Sequence, residues 1–205
     1  MNSRSIDEMA PERRRRLLAT AAREFAVEGY RQASLNRIIR LCGLSKSSFY
    51  YYVRSKEELF ELVVDQLSAQ LADELSETGP DDFRDDFWAT AERLLRRLLA
   101  VAEREPLLTD LGRMFSLPGA PAGPESAVGR ATAAAESWLD RVLAAGRAAG
   151  TVRADLPPGL QRHVTFAVLR ALDEWTLRHQ DLSDRRGTEP LLRAQLDLLH
   201  RLLAP

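Results

Sequence analysis

Cysteine is almost missing from this chain. Cys42 is the single one among 205 residues, so no disulfide closes within the chain and no multi-thiolate zinc site can be built from it. Histidine is nearly as scarce. His163, His179 and His200 lie far apart without metal-ligand spacing, and neither a nucleophile motif nor a glycine-rich phosphate loop occurs. No metal, no cofactor and no catalysis are therefore expected. No run of about 18 uninterrupted apolar residues is present, and residues 1–10 lack the apolar stretch of a secretory signal. Membrane crossing and export by that route are not expected, and reducing cytoplasm is the expected compartment. Alternating apolar and polar strand patterns are also missing. With 45% hydrophobic and 29% charged residues, the chain carries too many apolar groups per charge to be disordered.

What is present is a segregated charge. The whole chain carries −1, but residues 1–56 hold ten arginines and two lysines against five acids. That is +7, which leaves −8 for residues 57–205. A basic head joined to an acidic body suits a phosphate-facing module beside one kept off a polyanion. The apolar spacing is helical throughout, for example Leu59, Val63, Leu67, Leu71 and Leu75 at steps of four. Caps and breakers predict helices near 11–28, 34–41, 45–53, 56–77, 82–104, 106–115, 125–149, 157–180 and 188–203. The expected fold is all-α, with a head over 1–56 and a body over 57–205.

Two of these helices, 34–41 and 45–53, are short and meet at Cys42-Gly43-Leu44. That is the form of a helix-turn-helix, in which Gly43 supplies the positive φ of a sharp turn. At 100° per residue, Phe49 and Val53 fall on one packing face with Tyr52 beside them. Ser47, Ser48, Tyr50 and Tyr51 point the other way, with Lys46 at the leading end. Lysine and serine donate to base edges or phosphates, and tyrosine hydroxyls reach phosphate oxygens. The alternative is that the tyrosines merely pack on neighbouring helices. Ser55 with Glu58 reads as a capping box opening the next helix. Lys56 at its first turn faces the positive end of the helix dipole, a cost that a bound phosphate would reverse. Ser34 is a second helix N-cap, suited to plain capping as well as to an anion.

These residues resemble the TetR family of bacterial transcriptional regulators. The resemblance rests on Leu17-Leu18, Ala21-Ala22, Phe25, Gly29-Tyr30, Ser34-Leu35, Ile38, Cys42-Gly43-Leu44-Ser45, Tyr50, Ser55-Lys56-Glu57 and Leu59. It covers residues 13–62. Ser47 stands where glycine is frequent in the family, Ile39 where alanine is, and Val53 where phenylalanine is. The resemblance implies an all-helical homodimer with an N-terminal three-helix DNA-binding domain whose third helix enters the major groove of a double-stranded operator. It implies phosphate contacts at Ser34, Tyr50 and Lys56, base-edge or mixed contacts at Lys46, Ser47, Ser48 and Tyr51, and a backbone contact at Tyr52. It also implies that the C-terminal helices hold a small-molecule effector and that the last two pair in the dimer.

Helices 157–180 and 188–203 carry apolar residues on more than one face, which calls for two burial partners, the body and a second subunit. For the effector, expected to be apolar, the large or polar-tipped residues Trp88, Met114, Phe115, Trp138, His163 and Trp175 are the ligand-binding candidates. Met114 and Phe115 lead, because they precede the Gly/Pro-rich loop 117–124. Two readings of the whole remain: a ligand-responsive regulator, expected to be a repressor released from its operator by the effector, and a ligandless architectural DNA binder of the same fold.

Overall fold

In the computed structural model the described residues are 5–115, 117–179 and 185–205, with 185–187 described by their backbone alone. They form nine α-helices and no strand: α1 Pro11–Gln32, α2 Leu35–Cys42, α3 Lys46–Tyr52, α4 Lys56–Leu75, α5 Phe87–Arg104, α6 Pro106–Met114, α7 Ala127–Ala148, α8 Pro158–His179 and α9 Arg185–Leu203. The all-α expectation holds. Two short 3-10 turns, Ile6–Glu8 and Pro80–Phe83, precede α1 and α5.

Several helix ends differ from the sequence reading, each for a local reason. The chain after α4 does not re-enter an α-helix at 82. Asp86 accepts the Ala89 N–H at 3.0 Å and so starts α5 later, at Phe87. Helix α9 begins at Arg185 and contains Pro190, whose missing N–H removes only one bond of the ladder. The break expected over 181–187 lies partly outside the described residues. In α1, Gly29 does not end the hydrogen-bonded run, which continues to Gln32, but it leaves helical geometry with φ 77° and ψ 161°. Only glycine adopts that region without strain. A Cβ at position 29 would have no atom within 4 Å, so Gly29→Ala tests backbone strain alone. It is expected to destabilise the protein by about 1–3 kcal/mol, read as a lower urea midpoint; an unchanged midpoint would contradict this backbone assignment.

The chain divides into two compact units. One runs up to Gln70 and resumes over Leu107–Ala131; the other takes Leu71–Pro106 and Thr132–Pro205. The first unit thus extends past residue 56 into α4. The reason is the first half of α4, whose Leu59, Phe60, Val63 and Val64 are wholly buried. The Phe60 ring stands edge-on to Phe25 and to Tyr30, each 5.2 Å away between centroids, so α4 completes the core begun by α1. Leu17, Ala21, Ala22, Ile38, Phe49 and Val53 fill the rest of it.

The second unit is centred on Phe83, Phe87, Leu139, Val142, Leu143, Val152 and Leu203. Helices α5 and α9 are tied by Arg96, whose guanidinium donates to both carboxylate oxygens of Glu189 at 2.6 and 2.8 Å and to Glu92 at 2.7 Å. That contact lowers the Glu189 carboxyl to about 2. The inward face of α8 is unexpectedly polar: its fully buried residues are Gln161, Thr165 and Thr176. Gln161 accepts from Arg147 at 2.6 Å and donates to the Arg153 carbonyl at 2.9 Å, and Gln195 of α9 donates to Thr176 Oγ1 at 2.9 Å. The apolar residues of α8 consequently sit half-buried or outside.

Candidate nucleic-acid interface

The short helix pair forms as the sequence indicates, and its turn is closed by local chemistry. Ser34 caps α2, its Oγ accepting the Arg37 N–H at 3.3 Å. Gly43 ends α2 in the left-handed region (φ 68°, ψ 27°), and the N–H groups of Gly43 and Leu44 return to the carbonyls of Arg40 and Ile39, both at 3.1 Å. This double return satisfies the last carbonyls of the helix and turns the chain sharply. Arg16 of α1 braces the corner by donating to the Leu41 carbonyl at 3.0 Å. Ser45 then caps α3, accepting the Ser48 N–H at 3.1 Å, and its Oγ lies 3.0 Å from Ser47 Oγ.

Helix α3 is anchored on one side only. Phe49 and Val53 are fully buried, whereas Lys46, Ser47 and Tyr50 are exposed and Ser48, Tyr51 and Tyr52 half-buried. Tyr50 keeps 46% of its surface in solvent, although its ring leans edge-on against Phe49 at 5.1 Å. The Tyr51 and Tyr52 rings meet edge-on at 5.1 Å. Tyr52, beside the packing face, lines an open groove of about 570 Å³ with Leu18, Arg54 and Leu62. The wheel reading of α3 thus matches the structure: an apolar side holds it in the head, and a side of one ammonium, hydroxyls and phenols faces outward.

Lys56 is placed where the sequence did not anticipate. Its Nζ donates to the carbonyls of Arg31 at 3.0 Å and Ala33 at 3.4 Å, and lies 5.1 Å from the centre of the Tyr30 ring. The ammonium therefore sits at the negative end of α1, so the dipole cost at the start of α4 is offset inside the protein, without a ligand. Two of its three N–H groups are engaged, which leaves one for an outside acceptor. Burial, ahead of the charges of Glu57 and Glu61, pushes the Tyr30 phenol up. Cys42 is buried, and this desolvation raises its thiol, as befits packing and not reactivity.

Sequence reasoning missed Glu24 and Arg37. Glu24 is only 6% exposed, accepts the Ser34 N–H at 2.9 Å, and faces the Arg37 guanidinium at 3.5 Å. Arg37 also donates to Glu28, and that bond leads the causes that raise its guanidinium, with the charges of Glu24 and Glu28 adding to it. The signal was available as an acid set inside the apolar stripe of α1, between Ala21 and Phe25.

The six effector candidates do not form one set within either unit. Met114, fully buried, and Phe115, half-buried, belong to the first unit. The other four belong to the second. There Trp138 packs on Phe83 with ring centroids 5.8 Å apart, and Trp88 lies 4.6 Å from the His200 ring. His163 and Trp175 lie on the exposed side of α8, Trp175 stacked on His179 at 4.9 Å. The polar inward face of α8 is what turns those two outward.

Comparison with known proteins follows the same outline. Residues 17–63 match the family model described as bacterial regulatory proteins, tetR family. YdgC of Bacillus subtilis, an uncharacterised HTH-type transcriptional regulator, is 46% identical over 55 residues, which are 26% of this chain and 28% of that protein. The HTH-type transcriptional regulator Mb1846 of Mycobacterium bovis is 28% identical over 138 residues, 67% of this chain and 58% of that one. The matched stretches thus span less than two thirds of the length of these relatives. Among solved structures, AibR in complex with isovaleryl coenzyme A and operator DNA is similar in fold, with a TM-score of 0.70 at 16% identity over 91% of this chain and 97% of that chain.

Proposed function

We propose that this chain, whose residues 17–63 match the model of bacterial regulatory proteins of the tetR family, is a transcriptional regulator that binds double-stranded operator DNA through α3 as a homodimer and answers to a small effector. The observation that carries this reading is the one-sided anchoring of α3, with Phe49 and Val53 buried and Lys46, Ser47 and Tyr50 exposed. In it, residues 1–56 read DNA, and residues 57–205 receive the effector and pair the subunits. Lys46, Ser47, Ser48 and Tyr51 make base-edge or mixed contacts, Ser34, Tyr50 and Lys56 reach phosphates, and Tyr52 touches the backbone from the edge of the face.

The dimer runs through 157–203. Support comes from α8 and α9, which leave Leu160, Trp175 and Leu198 about half exposed, in line with the two-sided apolar content of these helices. Two-fold pairing sets two recognition helices on half-sites about 34–36 Å apart. The effector is a small apolar molecule whose binding releases the operator, so the protein acts as a repressor. AibR, of similar fold, was solved with isovaleryl coenzyme A, so acyl-coenzyme A thioesters, apolar at the acyl end and anionic at the coenzyme A end, are among the first effectors to try. Release requires that the effector bind the DNA-free geometry better than the DNA-bound one.

Lys46→Ala is expected to relax base preference in a selection from random duplexes. Lys56→Ala is expected to weaken binding to all sequences and to lower the slope of log K against log salt by about one counterion. Tyr50→Phe should weaken binding without changing sequence choice. If neither Lys56→Ala nor Tyr50→Phe alters affinity, the phosphate roles are wrong. If operator affinity is unmoved by every effector tried, the ligandless architectural reading takes its place.

A further inference from the structure

The Ala33–Ser34 peptide lies between two opposite charges. Its N–H donates to Glu24 Oε1 at 2.9 Å, and its carbonyl accepts from Lys56 Nζ at 3.4 Å. One planar amide therefore links a carboxylate on α1 to an ammonium on α4 across the entrance to α2. Glu24 stands in a stripe of Leu17, Leu18, Ala21, Ala22 and Phe25, all buried. A carboxylate in such surroundings is strongly destabilising unless its oxygens find donors. Here the Ser34 amide donates to it and the Arg37 guanidinium pairs with its charge at 3.5 Å, both belonging to the start of α2. An apolar side chain at 24 would satisfy the stripe equally well, so packing does not account for the acid.

We propose that Glu24 is a positioning residue for DNA binding: by holding the Ala33–Ser34 peptide from its N–H side, it presents one of the two carbonyls to which Lys56 is tethered, the other being that of Arg31, and so aims the remaining N–H of that ammonium, together with the α2 cap at Ser34, at the phosphate backbone. The inference rests on the DNA-binding reading above. Its distinguishing content is that Glu24 touches no phosphate yet acts through Lys56. The amide fixes the geometry because it is planar and its N–H and C=O point in opposite directions. Polarisation along the chain of hydrogen bonds also strengthens both ends when both charges are present.

The test is a double-mutant cycle on the full-length protein, with binding to mixed-sequence duplex DNA measured over a range of salt concentrations. Such DNA suffices because phosphate contacts are independent of sequence. Glu24→Leu keeps the volume and removes the acceptor. It is expected to weaken binding about tenfold, the scale of one charge-assisted hydrogen bond, and to lower the salt slope by about one, as Lys56→Ala does. Lys56→Ala made in the Glu24→Leu background should then change affinity by less than about twofold, the ordinary limit of additivity error. Equal losses from Lys56→Ala in both backgrounds would overturn the proposal, since a purely structural Glu24 leaves the contribution of Lys56 intact.

Glu24→Gln guards against a leucine variant that does not fold. It retains an oxygen for the Ser34 N–H and should restore the salt slope and bring affinity within about threefold of the wild type, the loss being that of charge alone. A glutamine variant that folds and yet lacks the Lys56-dependent slope overturns the proposal. Failure of the underlying reading looks different: the wild type would show no salt-dependent DNA binding, or Lys56→Ala would leave the wild type unchanged.

Discussion

Phe60→Ala is expected to destabilise the first compact unit by about 3–5 kcal/mol, the cost of emptying a phenylalanine site in a packed core. Phe60 is wholly buried, and its ring is the shared edge-on partner of Phe25 and Tyr30. Removing it takes the edge-on partner from both rings, leaving only their stacking on each other at 6.0 Å, and opens a void between α1 and α4. Tyr30 in turn lies beneath the Lys56 ammonium, so the loss should reach the start of α4 as well. All three tryptophans, Trp88, Trp138 and Trp175, lie in the second unit, and their fluorescence is therefore a poor reporter of this change. Amide hydrogen exchange is the apt measurement, with protection falling by about two to four decades across the first unit, in α1–α3, the first part of α4 and α6, and little in the second unit. Unchanged protection in α1 would show that Phe60 is not the keystone described here.

The second large effect concerns assembly. If the chain pairs through α8 and α9 as proposed, Trp175→Asp combined with Leu198→Asp should convert a dimer to a monomer at micromolar concentration. Trp175 and Leu198 are 46% and 45% exposed, so their replacement leaves the chain's own core nearly untouched. At the centre of an interface, truncating a tryptophan anchor costs about 2 kcal/mol or more, which is roughly thirtyfold or more in the dissociation constant. A buried carboxylate in each position adds desolvation to that loss. Sedimentation equilibrium reads the outcome, and far-UV circular dichroism confirms that the helices persist. A dimer of undiminished affinity would place the pairing surface elsewhere. The monomer should also lose operator affinity by far more than it loses binding to a single half-site, because the two heads are no longer joined.

The parts of this molecule that were legible in the sequence are those governed by near neighbours. Caps at Ser34 and Ser45, the left-handed Gly43 and the outward side of α3 all follow from interactions within three or four residues. The family resemblance rests on the same stretch. The helix boundaries that shifted were also local, but there two signals competed: Asp86 starts α5 more strongly than Pro80 does, and Gly29 bends α1 without ending it.

Less was legible where meaning depends on residues brought together from afar. Lys56 looks like an uncompensated cation until the end of α1 is placed beneath it. The sequence likewise does not show that Trp138 packs on Phe83 and that Trp175 lies on the outer side of α8.

The amino-acid sequence by itself determined the helical class, the helix-turn-helix and which side of α3 is apolar, because hydrogen bonds and side-chain periodicity within a helix are set by residues a turn apart. Only the tertiary structure decided that α4 completes the core of the head, that a buried glutamate and a lysine grip one peptide from its two ends, and that α8 turns its polar residues inward. Those choices depend on which surfaces are desolvated together, and desolvation is a property of the packed chain rather than of any segment.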